Sequence, residues 1–130
     1  MIVVDASAAL EALLRTPAAS AVERWLFAPS QTLHAPHLLD VEVAQVVRRY
    51  AANGEIDVER GRMALTDLAD LPLQRYPHDF LLPRVWDLRN NFTAYDAIYV
   101  ALAEALDAPL LTCDKRLAAS PGHHARIELV

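Results

Sequence analysis

Four acidic residues of this chain stand where a carboxylate can do chemistry: Asp5, Glu42, Asp96 and Asp114. Asp5 closes the short apolar run Ile2-Val3-Val4, and Asp114 follows Leu110-Leu111-Thr112-Cys113. Both acids are therefore expected at the carboxyl ends of buried strands. Glu42 lies in a helical stretch whose inward stripe is Leu39, Val43, Val46, Val47 and Tyr50. It is three residues after Leu39 and four before Val46, hence on or beside that stripe, where an unpaired carboxylate is costly. Arg49 is too far along the helix to compensate it easily, which leaves a metal ion as the sharper partner. Asp40 falls near the opposite face and is expected to be solvated, favoured by the positive helix start. Asp96 sits in the first turn of an otherwise apolar helix. Singly, each acid has an ordinary role. Asp5 or Asp114 can cap the next helix, and Thr93-x-x-Asp96 has the form of a capping box worth at most about 1 kcal/mol.

Collectively the four point further. Ionised carboxylates gathered in one cleft repel one another, so some must stay protonated or recruit cations. All-oxygen clusters suit Mg²⁺ or Mn²⁺, and Mg²⁺ keeps waters that can act as nucleophile. One or two such ions can activate water and orient a phosphodiester. Metal-dependent phosphodiester chemistry is thus one reading of the spacing.

The elements that would position these acids are legible in the pattern. The chain has 130 residues, 54% apolar and 22% charged, which suits one compact domain over residues 1–130 with a substantial core. Strands are expected at Ile2–Val4, Thr32–Ala35, Leu73–Tyr76 and Leu110–Cys113, with an edge strand at Ile127–Val130. Ser7 is placed to cap a first helix carrying Leu10, Leu13 and Leu14, and Thr16-Pro17 to open a second ending near Phe27. Further helices are expected at Leu38–Asn53, stopped by Gly54, at Asp57–Asp70, at Asp79–Arg89, at Thr93–Leu106 and, briefly, at Lys115–Ala119. Pro83 must lie in the first turn of the Asp79–Arg89 helix or bend it. Strands alternating with helices indicate an α/β domain of three layers around a mostly parallel sheet of four to five strands. In such sheets ligands bind beyond the strand carboxyl ends where the strand order reverses.

Charge and cysteine usage narrow the setting. The net charge of −5 argues against a nucleic-acid partner until four carboxylates are set aside as metal ligands, which leaves −1. The basic residues are eleven arginines and the single Lys115, and arginine is the better phosphate clamp, although composition bias explains the excess equally well. Cys113 is the only cysteine, so an internal disulfide is impossible and a cysteine-based zinc site is disfavoured, fitting a reducing cytoplasm. No secretory leader or membrane-spanning segment is visible in the pattern.

The chain resembles, over nearly its whole length, the PIN-domain ribonucleases, specifically the VapC-type toxins of bacterial toxin–antitoxin pairs, and four segments carry the resemblance. They are Ile-Val-Val-Asp-Ala-Ser at Ile2–Ser7, the helix bearing Glu42, Thr-Ala-Tyr-Asp-Ala-Ile-Tyr-Val-Ala-Leu-Ala at Thr93–Ala103, and Leu-Leu-Thr-Cys-Asp-Lys-Arg-Leu at Leu110–Leu117. The resemblance implies that Asp5, Glu42, Asp96 and Asp114 form an acidic catalytic quartet. It also implies that Asp5 and Asp96 are direct Mg²⁺ ligands, with Glu42 and Asp114 nearby or acting through water. Ser7, Thr93 and Thr112 would orient carboxylates or waters. It implies a cytoplasmic, homodimeric endoribonuclease that cuts specific structured RNA and suppresses translation. A cognate antitoxin would inhibit it by placing a basic side chain in the acidic cleft, a contact that surplus negative charge favours.

Arg84, Arg89, Lys115 and Arg116 flank the acidic segments and are candidates to hold RNA phosphates, with solvated surface charge as the ordinary alternative. Arg89 and Lys115 are nearest in sequence to Asp96 and Asp114. The five histidines have no ligand spacing. Trp25, Trp86, Phe27, Tyr76 and Phe80 are expected in the core or in dimer packing, and Cys113 as an inert thiol. Three other classes compete. A haloacid-dehalogenase-like phosphatase needs a second Asp two residues after the first, where Ser7 stands, and a phosphorelay receiver needs an adjacent acidic pair that is absent. A non-catalytic binding module would use the carboxylates only to cap helices and receive a partner's arginine.

Overall fold

A computed structural model describes residues 1–130. Its element order is β1 (Ile2–Val4), α1 (Ala6–Leu13), α2 (Ala19–Leu26), β2 (Leu33–Pro36), α3 (Leu38–Ala52), α4 (Val58–Asp70) and β3 (Leu73–Tyr76). It continues with a 3₁₀ turn (Asp79–Leu81), α5 (Leu82–Asp87), α6 (Ala94–Leu106), β4 (Leu110–Thr112), α7 (Lys115–Ala119) and β5 (Ile127–Leu129). All strand pairs are parallel and the order is β3-β2-β1-β4-β5. Chain order thus runs outward from β1 in one direction and then, at β4, in the other. The switch point lies between β1 and β4, where Val3 pairs with His34 on one side and Leu110 on the other. Every residue of β1 and β4 is buried, as expected of central strands covered by helices on both faces.

Helix α6 packs on β1, β2 and β4, with α5 along it, while α1 gathers α2, α3 and α4 around itself. The sequence of α6 explains its placement, since Ala97 through Ala103 are all buried and five of these seven are Ala, Val or Leu. Gly54, at φ +75°, ends α3 in the left-handed conformation that glycine tolerates, so the chain turns back into α4. Asp57 caps α4 through a 2.7 Å bond from the Arg60 amide.

Several sequence expectations shift here. Of the two caps the sequence offered for α1, Asp5 and Ser7, Asp5 is the one used: its carboxylate accepts from the Ala8 amide, and Ser7 lies inside the first turn. The second helix begins at Ala19, because Thr16 to Ala18 form a turn closed by the Ala19 amide on the Thr16 carbonyl. The single helix expected at Asp79–Arg89 is a 3₁₀ turn followed by the short α5, with Pro83 in its first turn, where its missing N–H costs nothing. Asp40 is not merely solvated: Arg75 on β3 grips both its oxygens at 2.8 and 3.0 Å. Phe27, Phe80 and Trp86 are exposed rather than core, whereas Trp25 and Tyr76 pack against the core. His34 is a satisfied buried histidine, bonded to Thr32 Oγ1 and Tyr76 Oη.

Candidate active site

The acids at the ends of β1 and β4 emerge on the same side of the switch point. A pocket of about 140 Å³ there is lined by Asp5, Ser7, Glu42, Asp96, Tyr99 and Asp114, together with Ala6. All four candidate carboxylates therefore meet, although Asp5 and Asp114 are more than a hundred residues apart in sequence.

Asp5 is buried and almost fully hydrogen-bonded. Its Oδ1 accepts from the Ser7 hydroxyl at 2.6 Å and the Ala8 amide at 3.0 Å. Its Oδ2 accepts from the Thr112 hydroxyl at 2.6 Å. Thr112, fully buried at the end of β4, also receives the Asp114 amide at 3.0 Å, so one hydroxyl ties the two strand-end acids together. Ser7 Oγ in turn accepts the Cys113 amide at 2.9 Å. Thr93 has a simpler task. It caps α6 by accepting the Asp96 amide at 3.2 Å, and no bond returns from Asp96 to the Thr93 amide, so only half of the capping box forms. Asp114 Oδ1 caps α7 through the amides of Arg116 and Leu117.

Glu42 reaches the pocket from α3. The partner that compensates it is one the sequence did not reveal: the buried Tyr99 hydroxyl on α6 donates to Oε1 at 2.6 Å. Burial and the neighbouring acids push the Tyr99 hydroxyl far above its ordinary range, so it stays a donor. The carboxylates share the same strain. Burial raises Asp5 first of all, with Asp114 adding and the Ser7, Thr112 and Ala8 bonds opposing. Burial likewise raises Glu42, opposed by Tyr99 and reinforced by Asp96 and Asp5. Asp96 rises through burial and then through Asp114 and Asp5, while Arg116 and Thr93 pull it down. Three carboxyl groups held above their usual range in one small pocket form a site that gains from added positive charge.

The donors are hard oxygens, the set that Mg²⁺ and Mn²⁺ prefer, and they fit such an ion. No three His, Cys, Asp or Glu side chains make a preformed metal cage. An open arrangement of one or two carboxylates with waters is the ordinary mode for Mg²⁺.

The basic candidates divide. Arg89 and Arg116 line a groove of about 360 Å³ that contains Asp96 and so adjoins the acidic pocket. Lys115 is exposed at the start of α7 and lines neither cavity. Arg84 is directed elsewhere: its guanidinium grips Glu104 at 2.8 and 3.1 Å, far along α6 from Asp96. Burial pushes the Cys113 thiol up to about 11, with Glu11 and Asp5 adding, so it is protonated and inert at neutral pH. No helix is long and apolar enough to cross a membrane.

Comparison with known proteins agrees with this arrangement. The family model "PIN domain" matches residues 2–122. Ribonuclease VapC12 of Mycobacterium tuberculosis is 46% identical over 130 residues, covering 100% of this chain and 99% of the relative. Ribonuclease VapC1 of the same organism is 50% identical over 129 residues, 98% and 96% of the two chains. The crystal structure of VapBC2 from Rickettsia felis, bound to a DNA fragment from their promoter, superposes with a TM-score of 0.70 at 15% identity. That superposition covers 99% of this chain and 98% of the other, and shows the shared fold. A parallel sheet that reverses at β1/β4, acids at both strand ends and a family match over nearly all its length place this chain in the PIN domain family.

Proposed function

We propose that this protein is a Mg²⁺-dependent endoribonuclease that acts as the toxin of a toxin–antitoxin pair, cutting specific cellular RNA and thereby inhibiting translation. The observation that carries the reading is the convergence of Asp5, Glu42, Asp96 and Asp114 on one pocket, three of them with raised proton affinity. Relatives named ribonucleases, at 46% and 50% identity over essentially the full length, support it.

Asp5 and Asp96 would hold the cation, with Glu42 and Asp114 beside it or acting through water. Mn²⁺ is a substitute with the same donor preference. A bound divalent ion supplies an activated water and neutralises charge on the phosphate and on the departing oxygen. The protein supplies fixed geometry. Ser7 and Thr112 pin both oxygens of Asp5. Tyr99 occupies Oε1 of Glu42 and leaves Oε2 to accept a proton or orient a water. The Asp114 cap similarly commits one oxygen and leaves the other toward the pocket. Thr93 sets the start of α6 and thereby the height of Asp96. The same negative pocket suits a cognate antitoxin that inserts a basic side chain, and the active form is a cytoplasmic homodimer.

The test is incubation of total cellular RNA with purified, antitoxin-free protein in Mg²⁺, Mn²⁺ or chelator, with Asp96→Asn alongside. Discrete fragments that need both the metal and Asp96 are expected. Intact RNA from well-folded protein in every metal would instead favour a non-catalytic binding module.

A further inference from the structure

The acidic pocket is flanked by two very different surfaces. On one side, sharing Ser7 and Glu42, lies an apolar groove of about 470 Å³ whose lining includes Leu10, Leu38, Val41 and Val46 and no cation. On the other, sharing Asp96, lies the groove with Arg89, Asn90, Asn91 and Arg116. Of these two surfaces, the second is the one that offers cations to a polyanion leaving the acids. Arg116 already acts electrostatically on Asp96. Neither Arg89 nor Arg116 is paired with a carboxylate, whereas Arg62, Arg75 and Arg84 are. Asn91 is seated in the groove wall against Gly122, where the absence of a Cβ leaves room for its amide.

Trp86, 67% exposed on α5, is not part of the groove lining but touches it through Arg89. Arg89, one turn on, lies with its guanidinium 4.6 Å from the indole centroid. Nη1 of Arg89 donates to the Trp86 carbonyl at 2.9 Å, which holds the stack in place without using up the guanidinium face. Indole and guanidinium planes are both surfaces on which unstacked RNA bases settle.

We infer that the RNA strand flanking the cut runs from Asp96 between Arg116 and Arg89, and that an unpaired base stacks on the Trp86–Arg89 pair. This deepens the nuclease reading and rests on it. Arg89 and Arg116 read the backbone, Trp86 reads the availability of a base, and the substrate class is RNA that is single-stranded beside the scissile bond. Stacking tolerates any base, so this subsite selects unpaired structure more than sequence.

The test uses Asp5→Asn protein, inert in cleavage on the nuclease reading, with Trp25→Phe so that Trp86 is the only tryptophan. A short, unpaired oligoribonucleotide of mixed sequence, titrated in Mg²⁺, is expected to quench the Trp86 emission. Trp86→Ala, followed by anisotropy of labelled RNA, is expected to weaken binding about 5- to 150-fold with no change in salt dependence. Arg116→Ala is expected to lower the slope of log affinity against log salt by about 1. An abasic oligomer of equal length should bind the parent and Trp86→Ala alike. Equal affinity of the parent and Trp86→Ala for the mixed RNA overturns the inference. So does sedimentation showing that Trp86→Ala turns a dimer into monomers, since Trp86 then belongs to an interface between copies. The two readings separate cleanly. Metal-dependent cleavage by wild-type protein with no Trp86 effect on binding removes the base subsite alone. Trp86-dependent binding without any cleavage by wild type supports the subsite and removes the nuclease.

Discussion

Thr112→Val is the substitution that probes the site with least disturbance to the fold. Valine matches threonine in shape and suits a strand, so β4 and its packing persist and no cavity opens. What disappears is one hydroxyl with three partners: the 2.6 Å bond to Asp5 Oδ2, the 3.0 Å bond from the Asp114 amide and a 3.2 Å contact with the Ser7 hydroxyl. A hydrogen bond to a charged group contributes about 1.5–3 kcal/mol, and Asp5 is too buried for water to take its place freely. Asp114 is only half-buried, so water can satisfy its amide and that loss is small. We therefore expect a destabilisation of about 2–3 kcal/mol. With unfolding entropy of about 2.1 cal/mol/K per residue over 130 residues, this lowers Tm by about 7–11 °C. Removing a bond that holds the Asp5 pKa down lets burial push it further up, so Mg²⁺ affinity falls as well. Thermal unfolding with and without Mg²⁺ reads both effects. Thr112→Ser, which keeps the hydroxyl, should recover the metal response even though it loses a methyl. A Thr112→Val protein as stable as wild type, with an unchanged Mg²⁺ response, would refute the reasoning.

Three further outcomes follow from the electrostatics and the backbone. In chelator, the folded state holds protons on Asp5, Glu42 and Asp96 above their ordinary values of 3.8 and 4.5, so the contribution of these three groups to stability is fully present below those values and is lost as pH rises through the raised ones. Asp96→Asn should flatten that fall in a series of thermal melts, and should also abolish the stabilisation of about 2.7 kcal/mol that Mg²⁺ at a hundred times its Kd gives wild type. Glu104, despite burial pulling it up, is held below its ordinary 4.5 by Arg84 and the His124 amide, so their stabilisation is present above that value and lost as pH falls through the lowered one. Arg84→Ala should cost about 1–2 kcal/mol at neutral pH in denaturant titration yet leave RNA cleavage unchanged, because the pair is structural. Gly122→Ala, at φ +93° and with its new Cβ 2.6 Å from Asn91 Nδ2, should lose about 1–3 kcal/mol in the same titration and displace the Asn91 side-chain amide signals in an NMR spectrum.

Much of this architecture is readable without coordinates because it rests on local rules. Apolar triplets ending in an acid specify β1 and place Asp5, and the helical stripe of α3 puts Glu42 on the side that turns out to face the pocket. Gly54 and Asp57 punctuate the chain by conformational preferences that need no tertiary context. What the sequence hides is pairing across distance. The Tyr99–Glu42 bond joins residues 57 apart, and a tyrosine amid Ile98, Val100 and Leu102 reads as core until its hydroxyl is seen to have a partner. Asp40 and Arg84 look solvated for the same reason, since Arg75 and Glu104 reach them only once the sheet and α6 have assembled. Trp86 shows the converse, for its residue type suggests burial while the short α5 turns it outward beside Arg89. Asp5 rather than Ser7 caps α1 because Ser7 is drawn into bonding Asp5 and the end of β4.

The most direct test of the account is a single Mn²⁺ titration in which electron paramagnetic resonance reports bound metal and RNA cleavage is followed in the same samples. Wild-type cleavage should rise in proportion to occupancy and vanish with chelator, and Asp96→Asn should lose binding and cleavage together while its melting transition stays cooperative. Cleavage that persists in chelator, or that survives in Asp96→Asn, would contradict the claim that this carboxylate pocket is the metal-dependent catalytic centre.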